Sequence, residues 1–123
     1  LCQSFNKYIA LIISSFVFMV MHLGNPNIGI LPLANLFLAG IFLGVYRIHK
    51  NNLWFPIGAH LMWNYLQGPI YGFEVSGNKI NSLFEQKLKG HEVLTGGNFG
   101  YEGSIILTVF LIISIYLMDK RFR

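Results

Sequence analysis

The sequence predicts an all-α, polytopic transmembrane helix bundle with about four spans. Hydrophobic residues make up 54% of the 123 residues, and charged residues only 11%. The apolar residues gather into four runs, and most of the polar residues lie between those runs. A soluble domain needs more charge to cover its surface, whereas a bilayer tolerates an apolar exterior and penalises charge.

The first two apolar runs predict two helices, the second of which can pack closely against another helix. The first run, residues 8–23, contains no Asp, Glu, Lys or Arg, and turn-forming residues follow it at positions 24–27. We therefore expect a helix that ends in a turn. The second run, residues 28–48, contains Gly40 and Gly44 at the GxxxG spacing that lets helix backbones approach each other closely in lipid.

The second half of the chain predicts two more spans separated by a polar loop. The third run, residues 53–71, has Pro56 near its start, where a first helical turn does not need the missing N–H. Residues 72–103 are rich in Gly, Asn, Ser, Lys and Glu, and we expect them outside the hydrocarbon with a short helix around Ser82 to Leu88. The last run, residues 104–118, is shorter than the roughly 20 residues that usually cross a bilayer, but we interpret it as a span.

The basic residues favour an orientation in which both ends of the chain are cytoplasmic. They lie in twos and threes beside apolar runs, which is typical of membrane-interface anchors rather than of a nucleic-acid-binding surface. We therefore expect membrane lipid and no nucleic acid as a partner. With four spans, six basic residues lie on one side of the membrane. Three lie on the other side, where four glutamates offset their positive charge. The six are Lys7, Arg47, Lys50, Lys120, Arg121 and Arg123, and the three are Lys79, Lys87 and Lys89.

Two histidines inside apolar runs are the candidate chemical groups. His22 follows Phe18 by four residues, and Asn64 follows His60 by the same spacing, which places each pair on one helix face. Polar groups are costly inside hydrocarbon, so each needs a reason. An imidazole and a carboxamide on one face can bind a substrate carbonyl, a water or a metal. The alternative is that they pack or form interhelical hydrogen bonds, although two such histidines on different helices weaken that interpretation.

Hydrolysis of a peptide bond would also need a general base and donors for the oxyanion. No HExxH motif is present, and all five carboxylates lie in predicted loops or at the C-terminus. Glu102 is a candidate stand-in for the base, but its Gly-rich surroundings favour a structural or capping role. His49 and His91 lie in polar flanks, and we interpret both as surface histidines.

The FxxxH motif at residues 18–22 and the HxxxN motif at residues 60–64 resemble those of the CPBP family. This family, also called Abi or CAAX-protease-like intramembrane proteases, includes the type II CAAX prenyl endopeptidase. The intervening run, NPNIGILPLANLFLAGIFLGVYRIHKNNLWFPIGAH, and the later LTGGNFGYEGS resemble bacterial members. The resemblance implies an intramembrane endopeptidase of the bacterial cell membrane that acts on a peptide or lipidated protein substrate.

The resemblance also implies roles for the motif residues. In the family, a glutamate and the first histidine are thought to activate water, while the second histidine and the asparagine stabilise the oxyanion. Here His22 would assist the base, and His60 and Asn64 would be the oxyanion donors. A metal-bound version of the site has also been proposed, and His22 and His60 would then bind a divalent metal such as zinc.

The family's third motif, EExxxR, is missing from these residues. Leu1-Cys2-Gln3 resembles the segment that directly follows that motif. We therefore expect the chain to be the C-terminal part of a longer membrane domain and to be inactive by itself.

Two other functions stay open. The chain could belong to a non-catalytic membrane binding protein, such as a bacteriocin-immunity or scaffolding factor. It could also be a transporter element that uses His22 and His60 as a proton or metal relay. The charge count places His22 near the non-cytoplasmic end of its span, whereas CAAX processing needs cytoplasmic access. The oligomeric state is not predicted, because Gly40 and Gly44 suit packing within or between chains.

Overall fold

The computed structural model describes residues 6–123, and its regular structure is helical. No β-strand forms in this range, where Val75 and Asn78 pair as an isolated bridge around a tight turn. The all-α prediction is therefore confirmed, while Leu1-Cys2-Gln3 lies outside the described residues. The α-helices are α1 (Lys7–Met21), α2 (Ile30–Lys50), α3 (Trp54–Tyr65), α4 (Glu92–Thr95) and α5 (Ile105–Phe122).

Helix α2 lies at the centre of the bundle and packs against α1, α3 and α5. Its contact with α1 depends on two glycines. A Cβ atom added at Gly40 would lie 2.8 Å from the Cα of Ser15, and one added at Gly44 would collide with Leu11. Ser15 is buried in this contact, and its hydroxyl donates to the Leu11 carbonyl at 2.8 Å. The predicted packing role of the two glycines is confirmed.

The start of α1 and the ends of α2 and α5 carry the six basic residues, and they lie together in the fold. Asp119 near the end of α5 accepts hydrogen bonds from His49 Nε2 at 2.8 Å and from the Tyr8 hydroxyl at 3.4 Å. The His49 side chain is only 2% exposed, so its interpretation as a surface histidine is wrong. The cause is a contact across 70 residues of sequence, which local polarity does not reveal. His91, in contrast, is exposed as expected.

The third run does not continue as one regular α-helix to residue 71. Helix α3 ends at Tyr65, and a π-helical turn follows over Leu66–Ile70. Pro69 lies inside this turn and has no N–H to donate, while the Tyr71 N–H bonds to the Leu66 carbonyl, five residues back, at 2.9 Å.

The short helix expected around Ser82 to Leu88 does not form, so that prediction is wrong. The Leu83 N–H donates to the Pro69 carbonyl at 2.9 Å, and the Phe84 N–H donates to the Ile70 carbonyl at 3.2 Å. The Ser82 hydroxyl donates to the Phe84 carbonyl at 2.7 Å. Backbone groups that a helix would use internally are therefore bonded to the turn that follows α3.

Helix length supports fewer complete spans than the sequence predicts. Within residues 6–123, α2 is the one helix that is long and apolar enough to cross a bilayer unaided. Helix α1 is apolar but has 15 residues. The last turn of the 18-residue α5 contains Lys120 and Arg121. The predicted number of about four spans is not confirmed by these lengths.

Candidate functional site

A cavity of about 80 Å³ lies among α1, α2, α3 and α5, which is room for more than one water molecule. Most of its wall is apolar and comes from side chains such as Leu36, Leu43 and Phe110. A few groups bring polar atoms to this apolar wall. They belong to His22, Asn35, His60, Trp63, Ser76 and Glu102.

His22 lies directly after the last residue of α1. Its backbone N–H still bonds to the Met19 carbonyl at 3.0 Å, so the residue completes the last turn. Its ring Nδ1 lies 2.7 Å from the Phe18 carbonyl, which can only accept a hydrogen bond. Nδ1 therefore carries the proton, and Nε2 has the free lone pair of a base or a metal ligand.

Phe18 brings the two predicted histidines together. Its ring centroid lies 4.6 Å from that of His22 and 5.4 Å from that of His60. His22, at the end of α1, and His60, on α3, thus both lie beside one aromatic ring and line the same cavity. Phe18 and His22 of the FxxxH motif therefore meet His60 of the HxxxN motif in space, although Phe18 and His60 are 42 positions apart in the sequence. Asn64 is not among the residues that line the cavity.

The amide of Asn64 is bonded on one side only. Its Nδ2 lies 3.3 Å from His60 Nε2, one helical turn earlier on α3. Its Oδ1 is buried, and no donor among residues 6–123 contacts it. Rotating the amide by 180° would exchange the two atoms and leave Nδ2 free instead. An unpaired buried polar group costs roughly 1–3 kcal/mol, so this atom points to a ligand such as water or a substrate.

Glu102 lies in the wall of the same cavity. Residues 72–103 were expected outside the hydrocarbon, but this part of the loop returns to the bundle and leaves Glu102 8% exposed. Its Oε2 accepts from the Ser76 N–H at 2.6 Å and from the Ser76 hydroxyl at 2.8 Å. Its Oε1 accepts from Trp63 Nε1 at 3.2 Å. These contacts agree with the structural role that the Gly-rich surroundings favoured.

Asn35 is a site residue that the sequence interpretation missed. It lies on α2, is 1% exposed, and donates through Nδ2 to the carbonyls of Glu102 at 2.7 Å and Ser104 at 2.9 Å. Its Oδ1 accepts from the Thr108 hydroxyl at 2.6 Å. Asn35 therefore anchors the end of the loop to the bundle. A carboxamide inside the apolar run 28–48 was the signal for it, because such a group needs partners in lipid.

The described residues do not complete a zinc site by themselves. Within residues 6–123, no group of three His, Cys, Asp or Glu side chains is placed to hold a metal ion. A catalytic zinc usually takes three protein ligands. His22 has a suitable tautomer, but His60 Nε2 is bonded to Asn64 and both Glu102 oxygens have donors. A divalent metal held by His22 and His60 stays a prediction that needs a further ligand from elsewhere.

A comparison with known families adds to this geometry. The family described as Type II CAAX prenyl endopeptidase Rce1-like matches residues 1–66, more than half of the chain, and the match includes both motifs. The chain belongs to this family. No curated protein and no solved structure matches it. The Rce1-like match ends at residue 66, so it includes His22, His60 and Asn64 but not Glu102.

Proposed function

We propose that the full-length protein is an intramembrane endopeptidase that hydrolyses peptide bonds in membrane-associated substrates, by CAAX-type processing or a related reaction. One observation carries the proposal. His22 and His60 both lie beside Phe18 in one cavity, and Asn64 bonds to His60 while its other amide atom has no partner among residues 6–123. Membership of the Rce1-like family supports this reaction class.

In this proposal His22 helps to activate the attacking water. Since Nδ1 donates to the Phe18 carbonyl, Nε2 is the atom that can accept a proton. The family's glutamate pair is not among these 123 residues. We therefore expect the full-length protein to need that pair and the present residues alone not to hydrolyse peptides.

His60 and Asn64 would stabilise the oxyanion that forms when water attacks the peptide carbonyl. They lie on one face of α3, one turn apart, and would exchange their present hydrogen bond to each other for bonds to the oxyanion. His60 lines a cavity with mostly apolar walls, where a donor acts at low dielectric and needs little reorganisation.

We also propose that α1, α2, α5 and α3 with its π-helical turn all cross the membrane. Their outward faces carry apolar side chains whose exposure to water is unfavourable, and lipid would cover these faces. Exposed examples from three helices are Phe16 at 54%, Leu61 at 67% and Ile113 at 53%. Local thinning of the bilayer would accommodate the shorter helices. The resemblance of residues 94–104 to bacterial members of the family supports the bacterial cell membrane as the location.

The proposal is tested with the full-length protein in lipid vesicles and a prenylated C-terminal peptide as substrate, with products identified by mass spectrometry. We expect the wild type to release the terminal residues and the double variant His22→Ala, His60→Ala to release none. The same peptide without its lipid measures whether the lipid is required. If the wild type binds both peptides and cleaves neither, the non-catalytic binding function replaces this proposal.

A further inference from the structure

Glu102 is a carboxylate for which the proposed reaction has not yet given a role. It is the one carboxylate among residues 6–123 that lines the cavity. A buried carboxylate is costly unless hydrogen bonds satisfy it. Three donors do so here, two from Ser76 and one from Trp63, and they belong to different parts of the fold.

The first of these parts is the tight turn between Val75 and Asn78. Ser76 has a φ of +48° and Gly77 a φ of +80°, so both central residues adopt left-handed backbone conformations. Serine rarely adopts this conformation without local support. The Ser76 N–H and hydroxyl both donate to Glu102 Oε2, so the carboxylate stabilises the turn directly.

The second part is α3, which the bundle holds weakly. Pro56 is its one buried residue, and among the other long helices it packs mainly against α2. Trp63 lies three residues after His60 and directly before Asn64. The Trp63–Glu102 hydrogen bond therefore fixes the rotation of the helix segment that carries both site residues.

Glu102 is itself fixed to the centre of the bundle. The Asn35 amide on α2 donates to the Glu102 backbone carbonyl at 2.7 Å. A continuous path of hydrogen bonds thus runs from Asn35 through Glu102 to Trp63, beside His60. We propose that Glu102 is a positioning residue that holds His60 of α3 toward the cavity. Its effect on catalysis rests on the proposed function, but its effect on His60 does not.

The test of positioning uses NMR of the full-length protein in nanodiscs, with nitrogen-15 in its histidines and tryptophans. Glu102→Gln is compared with Glu85→Gln, a matched change at an exposed carboxylate of the same loop. We expect Glu102→Gln to shift the Trp63 indole and His60 ring signals and to leave Trp54, which is 80% exposed, and the exposed His91 unchanged. Glu85→Gln should move none of them. An unchanged His60 signal in Glu102→Gln overturns the proposal.

A second variant tests the same contact in case Glu102→Gln does not fold. Trp63→Phe removes one donor but keeps the carboxylate and its bonds to Ser76. It also assigns the Trp63 indole signal by its disappearance. We expect the His60 signal to shift in this variant as well, and a His60 signal identical to the wild type would contradict the proposal.

Peptide cleavage by the same proteins adds the catalytic readout. We expect Glu102→Gln to lower kcat by about tenfold or more with KM changed less than about twofold, because a small misplacement of reacting groups is costly. Glu102→Asp should recover part of the loss. A shifted His60 signal with wild-type kcat would overturn the catalytic role of the positioning. If the wild type cleaves nothing, the proposed function fails, and the NMR result alone decides whether Glu102 holds His60.

Discussion

At the scale of single residues, His22 and Asn64 each have two polar side-chain atoms with different roles. Within residues 6–123, His22 donates from Nδ1 to a carbonyl and Nε2 has no partner, while Asn64 bonds to His60 through one amide atom and the other has no partner. One atom of each side chain fixes its orientation, and the other is available to a reacting group.

We expect Asn64→Ala to lower kcat of the full-length protein by roughly 10²–10³-fold, the loss that follows removal of one oxyanion donor. Asn98→Ala is the matched control, since Asn98 lies on the exposed loop. The measurement is peptide cleavage at saturating substrate. Equal kcat values for the two variants would remove Asn64 from the reaction.

The motif residues could be predicted because their evidence is local. A spacing of four residues places His60 and Asn64 on one helix face whatever the rest of the chain does. The Glu102 position could not be predicted, because its bond to Trp63 joins residues 39 apart in sequence. The burial of His49 has the same cause, a partner 70 residues away.

At the scale of helices, the small residues of α2 let α1 approach. The GxxxG spacing predicted a close contact of α2 but not that α1 is the partner. We expect Gly40→Ala to destabilise the protein by roughly 1–3 kcal/mol, because the added Cβ would meet the Ser15 backbone. Gly58→Ala on α3 is the matched control, since nothing lies within 4 Å of a Cβ there. Thermal unfolding in detergent measures both, and a Gly40→Ala protein as stable as Gly58→Ala would contradict the packing.

The ends of α1, α2 and α5 meet at Asp119. The hydrogen bond from His49, with help from Arg123, holds the pKa of the Asp119 carboxyl below its usual value. A lowered folded-state pKa means that this carboxylate stabilises the fold above its unfolded pKa of about 3.9 and loses that contribution as the pH falls through the folded value.

We therefore expect Asp119→Asn to lower the stability by about 1 kcal/mol at pH 7 and by less as the pH falls below about 4. The measurement is the melting temperature of both proteins across this pH range, with Glu85→Gln as the control. A constant difference at all pH values would show that the charge of Asp119 does not contribute.

At the scale of the whole molecule, the four apolar runs predicted the order of the helices but not their lengths. A π-helical turn that contains Gly68 and Pro69 follows α3, and the loop after it forms backbone hydrogen bonds with that turn. Composition identifies a polar loop, but it does not reveal that part of the loop packs into the bundle.

The charge distribution makes a prediction about orientation. The basic ends of α1, α2 and α5 should be cytoplasmic, and the loop 72–103 should face the opposite side. Single cysteines at Lys87 and Arg121, in a Cys2→Ser background, test this with a membrane-impermeant thiol reagent on intact cells. We expect labelling at position 87 only. Labelling at position 121 only would reverse the orientation and place the loop on the cytoplasmic side.

The rate of peptide cleavage by full-length His60→Ala, compared with full-length His91→Ala, shows whether His60 takes part in the reaction. His60 lines the cavity, whereas His91 is exposed at the start of α4. We expect His60→Ala to lose at least about 10²-fold in kcat and His91→Ala to keep the wild-type rate. A His60→Ala protein that cleaves at the wild-type rate would contradict this expectation.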